Sequence, residues 1–191
     1  MDRRVALQLL SASAAASAFP PDLSRLGRAL HARLGGGLTR RVLTVEQDAT
    51  VVALTDLILP ATDTPGAKAA GVNEFIDLLL AEWVDPAERD RFTAGIAMVD
   101  QRAHESFGQT FLSATPAQQA ILLTALDDET ARWNASPRES RGPEPFYRRL
   151  KWLTLFGYFT SQVGAEQEDH YLIVPGRYEP CAPLPNSPRS R

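Results

Sequence analysis

The sequence predicts an all-α fold: a single-domain helical bundle of about five main helices, followed by an extended, Pro-rich C-terminal tail. Three observations carry this. Val72, Phe75, Ile76, Leu79, Leu80 and Trp83 fall at the i, i+3, i+4, i+7, i+8 and i+11 spacing of one helix face. Helix-start signals recur at Thr44, Asp85 and Thr115. The strict apolar–polar alternation of half-buried strands is nearly missing.

Each element follows from its local chemistry. Thr44 and Gln47 form a capping box, in which hydroxyl and amide satisfy each other's orphan backbone donors. The segment behind it carries Val51, Val52, Leu54, Leu57 and Ile58 and stops at Pro60, which cannot continue a helix. Asp85-Pro86-Ala87-Glu88 reads as N-cap, N1 proline and N3 glutamate, and starts a long helix with Phe92, Ile96, Val99, Ala103 and Phe107 on one side. Thr115-Pro116-Ala117-Gln118 repeats the signal ahead of Ile121, Leu122, Ala125, Leu126 and Trp133. A polar breaker, 134–145, precedes a last helix over about 146–161. After Gly164 the sequence reads as irregular and Pro-rich, with one short strand candidate at Tyr171-Leu172-Ile173-Val174.

The N-terminal residues read as an address. Arg3-Arg4 precedes an uncharged, small-to-apolar run from Val5 to Ala18, which ends Ala16-Ser17-Ala18 like a cleavage site. That run is shorter than the ~20 residues a membrane-spanning helix needs. A twin-arginine pair before such a run predicts a Tat signal over 1–18, although Ala6-Leu7 stand where a bulkier apolar pair is usual. Residues 19–43 read as a linker with Pro20-Pro21 and Gly35-Gly36-Gly37, in which Leu23, Leu26, Leu30 and Leu34 have the spacing of a short helix. The helical domain then covers 44–164 and the tail 165–191.

With 191 residues and 44% apolar composition, the chain can bury one core without staples. A net charge of −3 and no Lys/Arg block argue against nucleic acid as a partner. The single cysteine, Cys181, excludes an internal disulfide framework and Cys-rich metal sites; it is either buried and inert or paired with another chain. No G-x-G-x-x-G, P-loop, C-x-x-C-H or G-x-S-x-G motif occurs. No cofactor is therefore expected in this chain. Asp100, His104 and Glu105 share a helix at metal-compatible spacing, and Glu166, Glu168, Asp169 and His170 form an acidic cluster; a solvated helix face and a solvated loop explain them more simply. His31 falls in the linker.

The stretch Leu57-Ile58-Leu59-Pro60-Ala61-Thr62-Asp63-Thr64-Pro65-Gly66-Ala67 predicts a type II turn at 64–67, with Gly66 supplying a positive φ and Thr62 and Asp63 bonding the local backbone. Together with Ala70-Gly71-Val72 and Phe75-Ile76-Asp77 it resembles the signature of the gluconate 2-dehydrogenase subunit 3 family. Gly157-Tyr158-Phe159-Thr160-Ser161 with Gly164, and Val174-Pro175-Gly176-Arg177-Tyr178 with Cys181, are similar to two further segments of that family.

The resemblance implies a small, non-catalytic subunit. Its large partner would be a flavoprotein of the glucose–methanol–choline (GMC) type, holding FAD and oxidising a sugar, sugar acid or glycoside. A cytochrome c subunit often takes the electrons, which places haem c in a third chain. The small subunit would supply the Tat signal through Arg3 and Arg4, meet the Tat translocase, escort the folded flavoprotein and stay with it in the periplasm, at the membrane where the complex is so anchored. Two other classes compete: a stand-alone periplasmic enzyme or metal-binding helical protein, and a sugar-binding module using Trp83, Trp133 and Trp152.

The final helix suggests where a partner would sit. Phe146, Leu150, Leu153 and Gly157 make one apolar stripe; Trp152, Leu155, Phe156 and Phe159 make another, about halfway round. A surface helix needs one such stripe. Either this helix is central in the bundle, or its second stripe joins the tail at Tyr171, Pro175 and Tyr178 on the flavoprotein. Eight of the fifteen aromatic residues lie between Phe146 and Tyr178, the residue types that anchor interfaces. The expected partner-binding set is Trp152, Phe156, Phe159, Tyr171, Pro175, Tyr178 and Cys181.

Overall fold

The computed structural model describes residues 21–34 and 42–167. Among these the secondary structure is helical, without a strand. Seven α-helices follow in order: α1 (Pro21–Leu34), α2 (Val45–Ile58), α3 (Val72–Glu82), α4 (Pro86–Phe107), α5 (Pro116–Ala135), α6 (Phe146–Thr160) and α7 (Gln162–Gln167). Single 3-10 turns stand at Phe111–Ser113 and Arg138–Ser140.

The start signals work as their chemistry dictates. Thr44 accepts from Gln47 N while the Gln47 side chain accepts from Thr44 N, so the capping box of α2 closes in both directions. Thr115 and Gln118 do the same for α5. Asp85 accepts from Glu88 N ahead of Pro86, fixing the start of α4. That helix ends at Gly108, whose φ of 72° is the left-handed C-cap conformation. The Arg89 guanidinium reaches back to the carbonyls of Leu80 and Ala81, placing a cation on the exposed acceptors at the end of α3.

Helix α6 is the axis of the bundle. It packs against α1, α2, α3, α4, α5 and α7. Leu150, Leu153, Phe156, Gly157 and Tyr158 are buried along it, and the Thr154 hydroxyl donates to the Leu150 carbonyl so that it too can lie inside. Around it sit Val51 and Leu54 of α2, Phe75 and Ile76 of α3, Phe92, Ile96 and Val99 of α4, and Leu122 and Leu126 of α5. Each such apolar side chain contributes about 1.5–3 kcal/mol when fully removed from water. Ion pairs lace the outside: Arg102–Glu129 and Lys151–Asp127 tie α4 and α6 to α5, and Arg149–Glu88 ties α6 to α4.

Four local expectations are corrected. Gly66 is not a positive-φ residue; among the described glycines that conformation belongs to Gly71 and Gly108. Gly66 is required by close approach instead, because a Cβ there would lie 2.7 Å from the Leu59 carbonyl oxygen. Trp83 leaves the apolar face because α3 ends one residue earlier, and it stands 55% exposed. Ile121 is likewise exposed, beside the buried Leu122. Regular structure does not stop at Gly164: the Ser161 hydroxyl accepts from Gly164 N and starts α7, which runs through that glycine. The strand candidate at 171–174 lies outside the described residues.

Candidate functional site

Two of the segments that carry the family resemblance, 57–77 and 157–164, are far apart in sequence and converge at the C-terminal end of α6. The Tyr158 hydroxyl donates to the Pro65 carbonyl at 2.8 Å, across 93 positions, and ties the Gly157–Ser161 segment to the 59–67 loop. Tyr158 itself is fully buried. The loop is closed from within by Ala67 N donating to the Leu59 carbonyl, Thr62 N to the Thr64 carbonyl, and the Thr62 hydroxyl to Asp63. Gly157 exists because Phe75 presses on it: a Cβ would sit 2.9 Å from the ring. Ser161 donates to the Tyr158 carbonyl and caps α7 in the same place.

Residues 19–43 add a part to this constellation. The leucine spacing at 23, 26, 30 and 34 does form a helix, α1, and it docks on α3 and α6. Leu30 is buried, and Gly27 lies so close to α6 that a Cβ would meet the Thr160 side chain at 2.6 Å. His31 stacks on Phe75 at 4.8 Å, nearly parallel, and its Nε2 lies 2.7 Å from the Gly157 carbonyl. That bond requires the proton on Nε2. Burial pushes the His31 pKa below the usual imidazole value, opposed by the hydrogen bond to Gly157.

Asp77 plays a similar role nearby. It is buried, and its Oδ1 accepts from Val42 N at 3.0 Å and Leu43 N at 2.8 Å, fixing the chain where it enters α2. Asp48, also buried, accepts from the Asn73 amide.

The expected partner-binding residues divide. Trp152 is half-buried, stacked on Phe156 at 5.0 Å with the Arg149 guanidinium over its ring. Phe156 is 1% exposed, held between Trp152 and Phe75 inside the chain. Phe159 is half-buried, edge-on to Tyr158. Tyr171, Pro175, Tyr178 and Cys181 lie outside the described residues, as do Arg3 and Arg4 and most of the acidic cluster, Glu168, Asp169 and His170. Asp100 accepts from Phe111 N and so holds the 3-10 turn after α4, while Glu105 accepts from Gln101. Among the described residues no three His, Cys, Asp or Glu side chains gather as metal ligands, and no helix is long and apolar enough to cross a membrane.

Sequence reasoning passed over Trp133 as a core residue. Its indole is half-exposed, its Nε1 donates to the Gly142 carbonyl, and the guanidinium groups of Arg141 and Arg148 lie over the ring at 4.7 and 4.8 Å. Five arginines between 132 and 149 are the signal that could have found it.

No curated protein and no solved structure matched the chain. The family model described as gluconate 2-dehydrogenase subunit 3 matches residues 45–176, which takes in the 59–67 loop, Asp77, Tyr158 and Gly164. The chain thus belongs to the gluconate 2-dehydrogenase subunit 3 family, and is a subunit of a dehydrogenase complex.

Proposed function

We propose that this chain is the non-catalytic small subunit of a periplasmic, FAD-dependent GMC-type sugar or glycoside dehydrogenase, and that it supplies the Tat signal and escorts and stabilises the flavoprotein. Family membership over 45–176 is the observation that carries this reading. It is supported by what the motif residues do. Tyr158, Ser161, Gly157 and Asp77 spend their polar atoms and close contacts on holding the chain's own segments together. Arg3-Arg4 ahead of the Val5–Ala18 run supports the export role. FAD belongs to the large chain, and haem c, where a cytochrome takes the electrons, to a third.

On this reading the partner surface includes Trp152 and Phe159 at the edge of α6, with Tyr171, Pro175, Tyr178 and Cys181 of the tail. Phe156 contributes from behind, by fixing the Trp152 ring. The test is fractionation of cells producing the native chain and an Arg3→Lys, Arg4→Lys variant. The native chain should copurify from the periplasm with a protein showing flavin absorbance, and the variant should leave both in the cytoplasm. Normal periplasmic levels of both with the variant would overturn the export role; flavin bound to this chain alone would overturn the non-catalytic one.

A further inference from the structure

The last turn of α5 and the connection to α6 carry guanidinium groups that no carboxylate among the described residues pairs with. From Arg132 to Lys151 there are six basic and two acidic side chains, on a chain whose net charge is −3. Three of the bases have carboxylate partners: Arg148 with Glu144, Arg149 with Glu88 and Lys151 with Asp127. Arg132, Arg138 and Arg141 have none among the described residues; Glu139, and Asp128 one turn before Arg132 on α5, are the acids nearest them in sequence.

Part of the patch is held in place. Arg141 donates from Nε to the Ser136 carbonyl at 2.9 Å and from Nη2 to the Asn134 carbonyl at 2.7 Å. Arg148 donates from Nε to the Asn134 side chain. Both guanidinium groups lie over Trp133, whose own N–H is held by Gly142. None of these ties explains why the stretch needs so many cations. A surface guanidinium locked by backbone carbonyls, as that of Arg141 is, loses little entropy when it meets a fixed partner. Trp and Arg are the residues that most often anchor protein interfaces.

We propose that this connection, centred on Trp133 and bearing Arg132, Arg138 and Arg141, is a docking surface for an acidic face of the flavin-bearing partner subunit. The proposal rests on the subunit reading above. Charge complementarity fixes the chemistry of the occupant: the surface supplies guanidinium groups without carboxylates, so the partner must supply the carboxylates. A lipid headgroup layer would favour long, free cations over one pinned to backbone carbonyls, as Arg141 is. A second copy would have to present the acidic stretch 44–90, with ten acids against two bases, to this end of its neighbour. Such a contact joins two different patches of the chain, and where the rotation does not close a ring it builds an open chain.

The experiment compares three full-length proteins with the wild type: Arg132→Glu with Arg138→Glu, Trp133→Ala, and Lys68→Glu with Arg91→Glu as a control of equal charge change on exposed positions elsewhere. Affinity for the purified flavoprotein is measured by calorimetry in rising salt. The 132/138 pair should weaken binding roughly tenfold or more at about 0.15 M salt and flatten its salt dependence, with the control near wild type. Trp133→Ala should weaken binding without changing the salt slope. Wild-type affinity in both the 132/138 pair and Trp133→Ala places the interface elsewhere and leaves the subunit reading standing. Equal losses in the control mean bulk charge, not this surface. Failure of the wild type to bind any flavoprotein ends both readings. Binding of the wild type but not the 132/138 pair to phosphatidylglycerol vesicles, or wild-type self-association that the pair abolishes, would assign the surface to lipid or to a second copy instead.

Discussion

Gly95 sits in the interior of α4, where glycine is the wrong residue by intrinsic preference. Alanine there should gain about 1 kcal/mol, from backbone entropy and helix propensity. The structure predicts the opposite sign. A Cβ on Gly95 would lie within 2.8 Å of the Phe146 Cβ and closer still to its ring. The nearest atoms include the root of the side chain, so a rotamer change does not clear the clash. Phe146 is the first residue of α6, its ring is edge-on to Phe92 at 5.2 Å, and one turn on Arg149 pairs with Glu88. Moving it disturbs all three. Overpacking of this kind costs about 1–3 kcal/mol, and loss of the aromatic pair a further ~0.5–1.5 kcal/mol. Set against the propensity gain, Gly95→Ala should destabilise by about 0.5–3.5 kcal/mol, a fall in Tm of roughly 1–14 °C for a chain of this size. Thermal unfolding followed by circular dichroism measures it. Phe146→Leu in the Gly95→Ala background should recover part of the loss, and the double-mutant cycle isolates the contact. A Gly95→Ala protein that melts at or above the wild type would refute the reasoning.

Two other outcomes follow from the convergence at the end of α6. Tyr158→Phe leaves the half-buried Pro65 carbonyl without its donor beside a fully buried ring and should cost about 1–2 kcal/mol, read as a lower urea midpoint with an unchanged m-value. His31 has a folded pKa held below its unfolded value of about 6.5, so the unfolded chain binds the extra proton. Its contribution to stability is therefore complete above about pH 6.5 and is lost as pH falls below it. Titrating the melting temperature of wild type against His31→Gln should show that part of the acid-side slope disappears in the variant; superimposable profiles would remove His31 as the cause.

The legible parts of this fold are those written in adjacent residues. Capping boxes at Thr44 and Thr115 and the Asp85-Pro86 start involve partners three positions apart, so the sequence displays both members at once. The leucine spacing of α1 is legible for the same reason. Its docking is not, because what receives it, Phe75, Gly157 and Thr160, is supplied by helices more than forty residues away. Glycine is the extreme case. Gly66, Gly95 and Gly157 carry no side chain to announce a role, and each is needed because of an atom contributed from elsewhere in the chain or across a tight loop. Reading Gly66 as a turn glycine applied a local rule where a packing rule decided. The two stripes of α6 were visible as composition. Which of the two readings holds for the described residues depends on how many neighbours surround the helix, and six helices do.

That central position changes how the partner surface should be sought. An apolar stripe on a helix already enclosed by its own bundle has little area to offer, as the 1% exposure of Phe156 shows. The polar groups inside are satisfied internally as well: Asp48 by Asn73, Asp77 by two backbone amides, Thr154 and Tyr158 by carbonyls. A subunit whose interior is so fully committed must recognise its partner with groups the fold leaves over. In the described residues the half-buried edges of Trp152 and Phe159, and the exposed Arg132 and Arg138 on either side of Trp133, reach the surface. The two differ in what they contribute. Exposed cations steer encounter and set specificity through a field that salt screens within about 8–10 Å, whereas half-buried rings add contact area that salt barely affects. A complex that assembles slowly in high salt, yet once formed resists the same salt, is the behaviour expected if both surfaces meet one partner. A complex that high salt takes apart as readily as it prevents would leave the aromatic edges of α6 without a part in the interface.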